Sequence, residues 1–378
     1  MTTRRVLYVT GTRADFGLMS RTLKAINSDD TFDLGILVTG MHLSPIYGST
    51  VSEIVAAGLT IVDRVQVDLS VSTGASMARN IGEMILCFTR VLEQHRPDIV
   101  LLLGDRGEML AGAISALHLN IPCAHIHGGE RSGTVDEPIR HAISKLSHIH
   151  FASSKDAAER LARMGEDPSR IVISGAPGID GLTELAHSSR AELAEEFGLD
   201  PKQPTALMVF HPVLQEQVTA FQDTILIMEV LRAKGLQAII IEPNSDAGAD
   251  EVRRALNPYM AEPRFCILPH LPRDKFISWM AGCDVMIGNS SSGIIEAATF
   301  GTPVINIGTR QNLRLRNLNV KDVVATHEML DTAINEALAI GKFSPQNLYG
   351  NGTASETIIN TLKNIELGSP MLLKVNCF

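Results

Sequence analysis

The chain has 378 residues, a net charge of −9, and 45% hydrophobic but only 4% aromatic residues. That length exceeds what one ordinary core serves and predicts two domains of roughly 150–200 residues each. The acidic balance and scarce aromatic rings exclude a nucleic-acid footprint, a stacked-base platform and a tryptophan-built carbohydrate surface, so an anionic ligand has to be held by a few placed arginines and by helix N-termini.

The first strand is read at 5–10, "RVLYVT". Basic residues precede it, as in a signal peptide, but the apolar run is short, ends in a Gly-Thr-Arg turn and has no small-residue cleavage site. Strands follow at 32–40, 60–67, 98–105, 122–129, 149–154 and 171–177, with amphipathic helices between them, such as 77–95. After a polar stretch at 198–204 the pattern restarts, with strands at 206–213, 237–244, 265–271, 284–291 and 302–308. Continuous apolar strands with helical crossovers predict parallel sheets covered on both faces. The fold class is therefore α/β: two doubly wound, Rossmann-like domains, expected at 1–185 and 186–366, with a cleft between them and an irregular tail at 367–378. No run approaches the ~18 apolar residues of a membrane span. Five scattered cysteines without a CxxC pair suit reduced thiols and a cytoplasmic protein.

In open parallel sheets, ligands bind beyond the carboxyl ends of the strands. The unusual residues fall there: "GTRAD" (11–15), "TGMH" (39–42), "GDRGE" (104–108), "HIHGGE" (125–130), "HP" (211–212), "PN" (243–244) and "GNSSSG" (288–293). Arg13 with Asp15, and Arg106 with Asp105, read as substrate-positioning pairs at one sheet edge. Ser290 and Ser291 open a helix, a start that suits a phosphate. Arg310 in "GTR" is placed to close on a pyrophosphate bidentately, and Glu296 to hold ribose hydroxyls. No Walker lysine follows the glycines and no GxGxxG follows strand one, so neither ATPase nor NAD chemistry is indicated.

The densest stretch is "GGERSGTVDEPIRHAISKLSHIH" (128–150). Thr134 and Glu137 read as a capping box, Pro138 as a first-turn residue, and Ile139, Ile143 and Leu146 as the buried stripe. Asp136 either complements the helix dipole or does chemistry. A helix start does not account for His125, His127, Glu130, Arg140 and His141. Two histidines alternating on an otherwise buried strand are costly unless they are paired or line a cleft. Histidines at i and i+2 also raise a metal site, with His141 or Asp105 as further ligands. No HxxxH or cysteine ligand completes that set, so neither metal nor cofactor is expected.

Together, "TGTRADFG", "VTGMHLSPIYG", "GDRGEMLAGA", "HIHGGERSGTVDEPIRHAISKLSHIH", "FHPV", "GNSSSGIIEA" and "TPVINIGTRQ" resemble the UDP-N-acetylglucosamine 2-epimerases over roughly residues 4–365. The similarity is strongest to the hydrolysing, bacterial sialic-acid-pathway branch. It implies a GT-B-like fold, a small nucleotide-sugar substrate, a homodimer or homotetramer, and no nucleic-acid or membrane partner. The implied reaction removes the C2 proton of UDP-GlcNAc and expels UDP from C1, giving a 2-acetamidoglucal. Water then adds with inverted C2 stereochemistry, releasing N-acetylmannosamine and UDP.

Residue by residue, the resemblance implies a catalytic or positioning role for Asp105, an acid/base role for Asp136, and contact of His211 with the nucleotide sugar. The implied substrate and UDP set is Arg13, His42, Arg106, Asn244, Asp246, Ser290, Ser291, Glu296 and Arg310. Many members carry a catalytic glutamate in "HIEGGE". His127 stands at that position here, so the role passes to His127, or to Asp136 and Glu130. Four other readings compete. A hydrolysing 2-epimerase of UDP-2,4-diacetamido-2,4,6-trideoxyglucose, for legionaminic acid, would share the uridine contacts. A two-domain glycosyltransferase would not need the cluster at 125–141. A nonhydrolysing epimerase would not release UDP. A sugar-nucleotide sensor would not need Asp105 and Asp136.

Overall fold

The computed structural model describes residues 3–213, 216 and 218–377. Short runs that are apolar at successive positions build two parallel sheets. The first contains β1 (Arg4–Thr10), β2 (Phe32–Thr39), β3 (Ile61–Val65), β4 (Ile99–Leu103), β5 (Cys123–Ile126), β6 (Ile149–Ala152) and β7 (Ile171–Ile173), in the order β3-β2-β1-β4-β5-β6-β7. The second contains β8 (Thr205–Val209), β9 (Gln237–Ile241), β10 (Phe265–Leu268), β11 (Val285–Gly288), β12 (Val304–Ile307) and β13 (Val320–Val323), in the order β10-β9-β8-β11-β12-β13.

Side chains alternate across each strand, and both faces are dry. Val6 and Tyr8 of β1 pack with Phe16, Met19 and Leu23 of the helix Arg13–Asn27. Leu7 and Val9 face the other way, onto Met84 and Phe88 of the helix Gly74–His95. The second sheet repeats the scheme, with Ile227 and Leu231 on one face and Ile277 and Met280 on the other. The order of each sheet reverses direction next to its first strand, between β1 and β4 and between β8 and β11. These are the crevices where such sheets take ligands.

The strands after β7 end earlier than expected. The run read at 206–213 is β8, Thr205–Val209, and the run at 284–291 is β11, Val285–Gly288. The remaining residues leave the sheet to form the loops of the site. Strand β13 was not expected. Its only fully buried residue is Val323, and Lys321 and Asp322 face solvent, the pattern of a short edge strand with charged guards.

The packing also departs from the expected division at 185/186 and 366/367. Ala176, Ile179 and Leu182 already belong to the core of the second sheet. The helix Ala354–Asn364 returns to the first, where Ile358 and Leu362 are fully buried beside Val6 and Tyr8. Each such side chain contributes about 1.5–3 kcal/mol, enough to fix the return. Of the tail, residues 367–377 are described and include a short helix, Ser369–Leu372, while Phe378 lies outside the described residues. Beyond that helix, Lys374 reaches the buried Glu166 at 2.6 Å. Among the described residues no helix is long and apolar enough to cross a membrane.

Candidate active site

A cavity of about 240 Å³ lies between the two sheets. The first domain lines it with Arg13, Asp105, Arg106, His127 and Asp136, and the second with His211, Asn244, Asp246, Ser290, Ser291, Glu296 and Arg310. These residues follow the carboxyl ends of β1, β4, β5, β8, β9, β11 and β12, as the parallel topology requires.

On the second domain, Gly288 has φ +134°, and a Cβ there would sit 2.1 Å from the Val209 carbonyl oxygen. Only glycine lets the loop cross β8 this closely. The amide of Asn289 then locks His211 from both sides, accepting its N–H at 2.7 Å and donating to its carbonyl at 2.7 Å. Ser290 caps the helix Ser291–Ile295. Five residues make a small dipole, so the hydroxyls and local N–H groups matter more here than the macrodipole. Arg310 donates to the Asn289 carbonyl at 3.1 Å. The Asn244 N–H donates to His211 Nδ1 at 3.3 Å. Burial, reinforced by Arg310, lowers the His211 pKa to about 3. The imidazole is therefore neutral near pH 7, and with Nδ1 accepting, its hydrogen is on Nε2 as a donor.

Glu296 is 1% exposed and paired with Arg273, which also donates to the Gly178 carbonyl at 3.1 Å. The carboxylate expected for ribose hydroxyls is thus charge-neutralised and accepts only with the lone pairs Arg273 leaves.

On the first domain, several expectations change. Asp15 is no partner of Arg13. It closes the capping box of its own helix, taking the Thr12 N–H at 2.7 Å and the Gly11 N–H at 3.2 Å. Arg13 instead crosses the cleft, donating to the Pro269 carbonyl at 2.8 Å and lying 2.8 Å from His270 Nδ1. Burial lowers the Arg13 pKa to about 10. Arg106 pairs with Glu108 at 2.9 Å and with Asp246 at 3.4 Å across the cleft, not with Asp105. His42 is not among the lining residues. It is fully buried, with Nε2 2.9 Å from Thr10 Oγ1 and Nδ1 2.8 Å from Thr50 Oγ1. Burial takes its pKa down to about 4, and it braces the ends of β1 and β2.

The two histidines of "HIHGG" have separate hydrogen-bond partners. His125 is fully buried, donating from Nε2 to the Gly104 carbonyl at 2.7 Å, with Nδ1 3.0 Å from Ser144 Oγ. His127 lies past the end of β5 with φ +66°, which breaks the alternation. A left-handed non-glycine residue is uncommon and tends to mark function. Gly129 follows at φ +77°, where a Cβ would meet the Ala157 carbonyl at 2.3 Å. Among the described residues no group of three or more His, Cys, Asp or Glu is arranged to hold a metal ion.

His127 Nδ1 is 2.5 Å from Glu130 Oε1, while its Nε2 is buried without a hydrogen-bond partner. Glu130, expected on the wall of the site, sits behind His127 and is 4% exposed. It also accepts from Ser153 Oγ at 2.6 Å and pairs with Arg314. Burial alone would raise its pKa, but Arg314 and His127 outweigh that and hold it at about 2. Asp105 pairs with Arg140, whose side chain is 1% exposed, and lies 4.0 Å from Arg314.

The expected capping box at Thr134 does not form. The helix runs Asp136–Leu146 with Val135 as its N-cap. Thr134 Oγ1 accepts the Asp136 N–H at 3.3 Å, and Glu137 turns back to the Ser132 N–H at 2.7 Å. Asp136 lines the cavity, and among the described residues its carboxylate has no ion pair or hydrogen bond. His141 points to Glu137 at 3.6 Å and is absent from the cavity wall.

Three arginines of the site, Arg140, Arg273 and Arg314, had no role assigned from sequence. Arg140 stood out as unexplained by a helix start. Arg273 and Arg314 carried no signal, because a lone arginine near a helix start or in a polar loop reads as surface.

The comparisons with known proteins agree with this architecture. A family model described as UDP-N-acetylglucosamine 2-epimerase matches residues 24–363. The chain is 48% identical over 375 residues to the UDP-N,N'-diacetylbacillosamine 2-epimerase (hydrolyzing) of Legionella pneumophila, covering 99% of this chain and 100% of that protein. It is 35% identical over 369 residues to a UDP-N-acetylglucosamine 2-epimerase of Neisseria meningitidis, covering 96% of each. Its fold superposes on a crystal structure of UDP-GlcNAc 2-epimerase from Neisseria meningitidis bound to UDP-GlcNAc with a TM-score of 0.80 at 19% identity, covering 95% of this chain and 99% of that one. With a family match over most of its length and relatives aligned end to end around the same two-sheet cleft, the chain belongs to the UDP-N-acetylglucosamine 2-epimerase family.

Proposed function

We propose that this protein is a hydrolysing 2-epimerase of a UDP-2-acetamido sugar, releasing UDP and the C2-inverted free sugar. The observation that carries the reading is the division of labour across one cavity. The first domain presents the Asp136 carboxylate and the Nε2 of His127, both without a hydrogen-bond partner among the described residues, and Asp105 held by Arg140. The second presents Ser290, Ser291, Arg310, Asn244 and the Nε2–H of His211.

The chemistry needs both walls. A base takes the C2 proton, the C–H electron pair forms the C1=C2 bond, and the C1–O pair leaves with the diphosphate. Water then returns hydroxide to C1 and a proton to C2. His127 and Asp136 serve as the proton-exchanging groups, with Asp105 positioning them and Glu130 acting through His127. Arg310, the serine hydroxyls and His211 stabilise the charge on the departing diphosphate. Arg13, Arg106, Asn244 and Asp246 hold the rest of the nucleotide sugar, and Glu296 accepts from the ribose.

Of the sugars weighed from sequence, UDP-GlcNAc came first. The 48% identity to a relative named for UDP-N,N'-diacetylbacillosamine, which is UDP-2,4-diacetamido-2,4,6-trideoxyglucose, supports the second sugar instead. Side-by-side turnover of the two decides. The diacetamido sugar is expected to show the higher kcat/KM, with UDP and the manno-configured sugar as products. A higher value for UDP-GlcNAc would return the preference to N-acetylmannosamine formation, and failure to release UDP from either would end the hydrolysing reading.

Arg310→Ala should weaken UDP by ~10–150-fold, the loss of a charge-assisted contact worth roughly 1.5–3 kcal/mol. Isothermal titration measures it, and unchanged affinity would remove Arg310 from the diphosphate.

A further inference from the structure

Arg314 joins the two domains at the acid/base group. It lies in the loop between β12 and β13 of the second domain, four residues past Arg310. Its side chain is 8% exposed, pairs with Glu130 of the first domain and lies 4.0 Å from Asp105. Glu130 in turn takes the Nδ1–H of His127 at 2.5 Å. His127 is 6% exposed and lines the cavity, and its Nε2 has no hydrogen-bond partner among the described residues.

A carboxylate buried this deeply is costly to keep ionised without a cation. Left alone beside an imidazole, it either takes up a proton or drives the imidazole to its cationic form. With a guanidinium seated on it, the carboxylate is a fixed acceptor. Nδ1 then keeps its hydrogen, and Nε2 keeps a lone pair for the cavity. His127, Glu130 and Ser153 all come from the first domain, and Arg314 comes from the second.

We infer that Arg314 is a cross-domain positioning residue: seated on Glu130 from the other domain, it sets His127 as the base that exchanges the C2 proton. The inference rests on the hydrolysing-epimerase reading and deepens it. Arg314 itself makes and breaks no bond. His127 Nε2 takes the C2 proton, the C–H pair forms C1=C2, and the C1–O pair departs with UDP.

Two measurements separate this role from a merely structural ion pair. The first needs no turnover. In protein labelled with ¹⁵N-histidine and saturated with UDP, His127 should be the neutral Nδ1–H tautomer in the wild type and should lose that form in Arg314→Gln. The second uses the diacetamido sugar or UDP-GlcNAc, whichever turns over. Arg314→Gln should lower kcat by ~10–100-fold, less than the ~100-fold or more expected for removing an acid/base group itself, with UDP affinity retained. Losing a cation makes the His127–Glu130 pair easier to protonate, so the acid limb of the kcat profile should move to higher pH. The other charged or titratable groups facing the pair, Asp105, Arg140, His125 and Tyr349, are unchanged in the variant. Arg314→Lys should recover part of kcat and of the shift. An unchanged tautomer, or a kcat loss with the acid limb in place and only stability reduced, would overturn the inference. A wild type that releases no UDP would sink the hydrolysing reading instead, and the tautomer comparison would still decide for or against Arg314.

Discussion

Asp136→Asn is expected to fold with wild-type thermal stability and to lose ~100-fold or more in turnover, the scale of removing an acid/base group. Asp136 is the first residue of its helix, and its N–H is held by Thr134 Oγ1 at 3.3 Å. Among the described residues its carboxylate has no hydrogen bond or ion pair to lose. The stabilisation at stake is the dipole term, roughly 0.3–1 kcal/mol, with a longer-range attraction to Arg106, and asparagine retains the shape of the side chain. UDP affinity should hold, since the residues proposed to hold the diphosphate lie on the other domain. A thermal melt and a kcat measurement on the same preparation check both halves. Full turnover would make Asp136 a helix-start residue and nothing more.

Asp105→Asn should behave in the opposite way, losing both stability and turnover. Asp105 is the carboxylate partner of Arg140, whose side chain is 1% exposed. Breaking a buried pair by removing one member costs about 3–5 kcal/mol, because the other charge stays buried and uncompensated. Denaturant unfolding should register that loss. Adding Arg140→Met to Asp105→Asn removes the orphaned charge and should recover much of the stability without recovering turnover. If the single variant is fully stable, Arg140 is satisfied by its other contact, the Glu130 carbonyl at 3.1 Å. If the double variant regains activity, Asp105 acts only as a counter-ion.

Much of this architecture was legible because parallel sheets leave a plain trace. Runs such as "IVLLL" of β4 are apolar at successive positions, and the polar residues begin where each strand ends. That placed the cleft, and most of the residues expected at it do line it. Tertiary partners left no such trace. The amphipathic face of Ala354–Asn364 reads equally well for either sheet, and only the packed chain shows Ile358 and Leu362 in the first. Thr134 and Glu137 have the spacing of a capping box, but Ser132 offers Glu137 a competing N–H, and a local motif gave way to its surroundings. His42 follows its strand just as the true lining residues follow theirs, yet Thr10 and Thr50 hold it below the cavity. Period-two alternation put His125 and His127 on one face, and the left-handed turn at His127 undid it. Arg273 and Arg314 became visible only through the buried carboxylates they neutralise.

The account stands or falls on the C2 proton, and incubating the enzyme with its UDP-2-acetamido sugar in deuterated water reads it directly by NMR. The product sugar should be C2-inverted, carry deuterium at C2, and appear with one equivalent of UDP. A product that keeps its original C2 hydrogen, or a free sugar released with C2 stereochemistry unchanged, would contradict it.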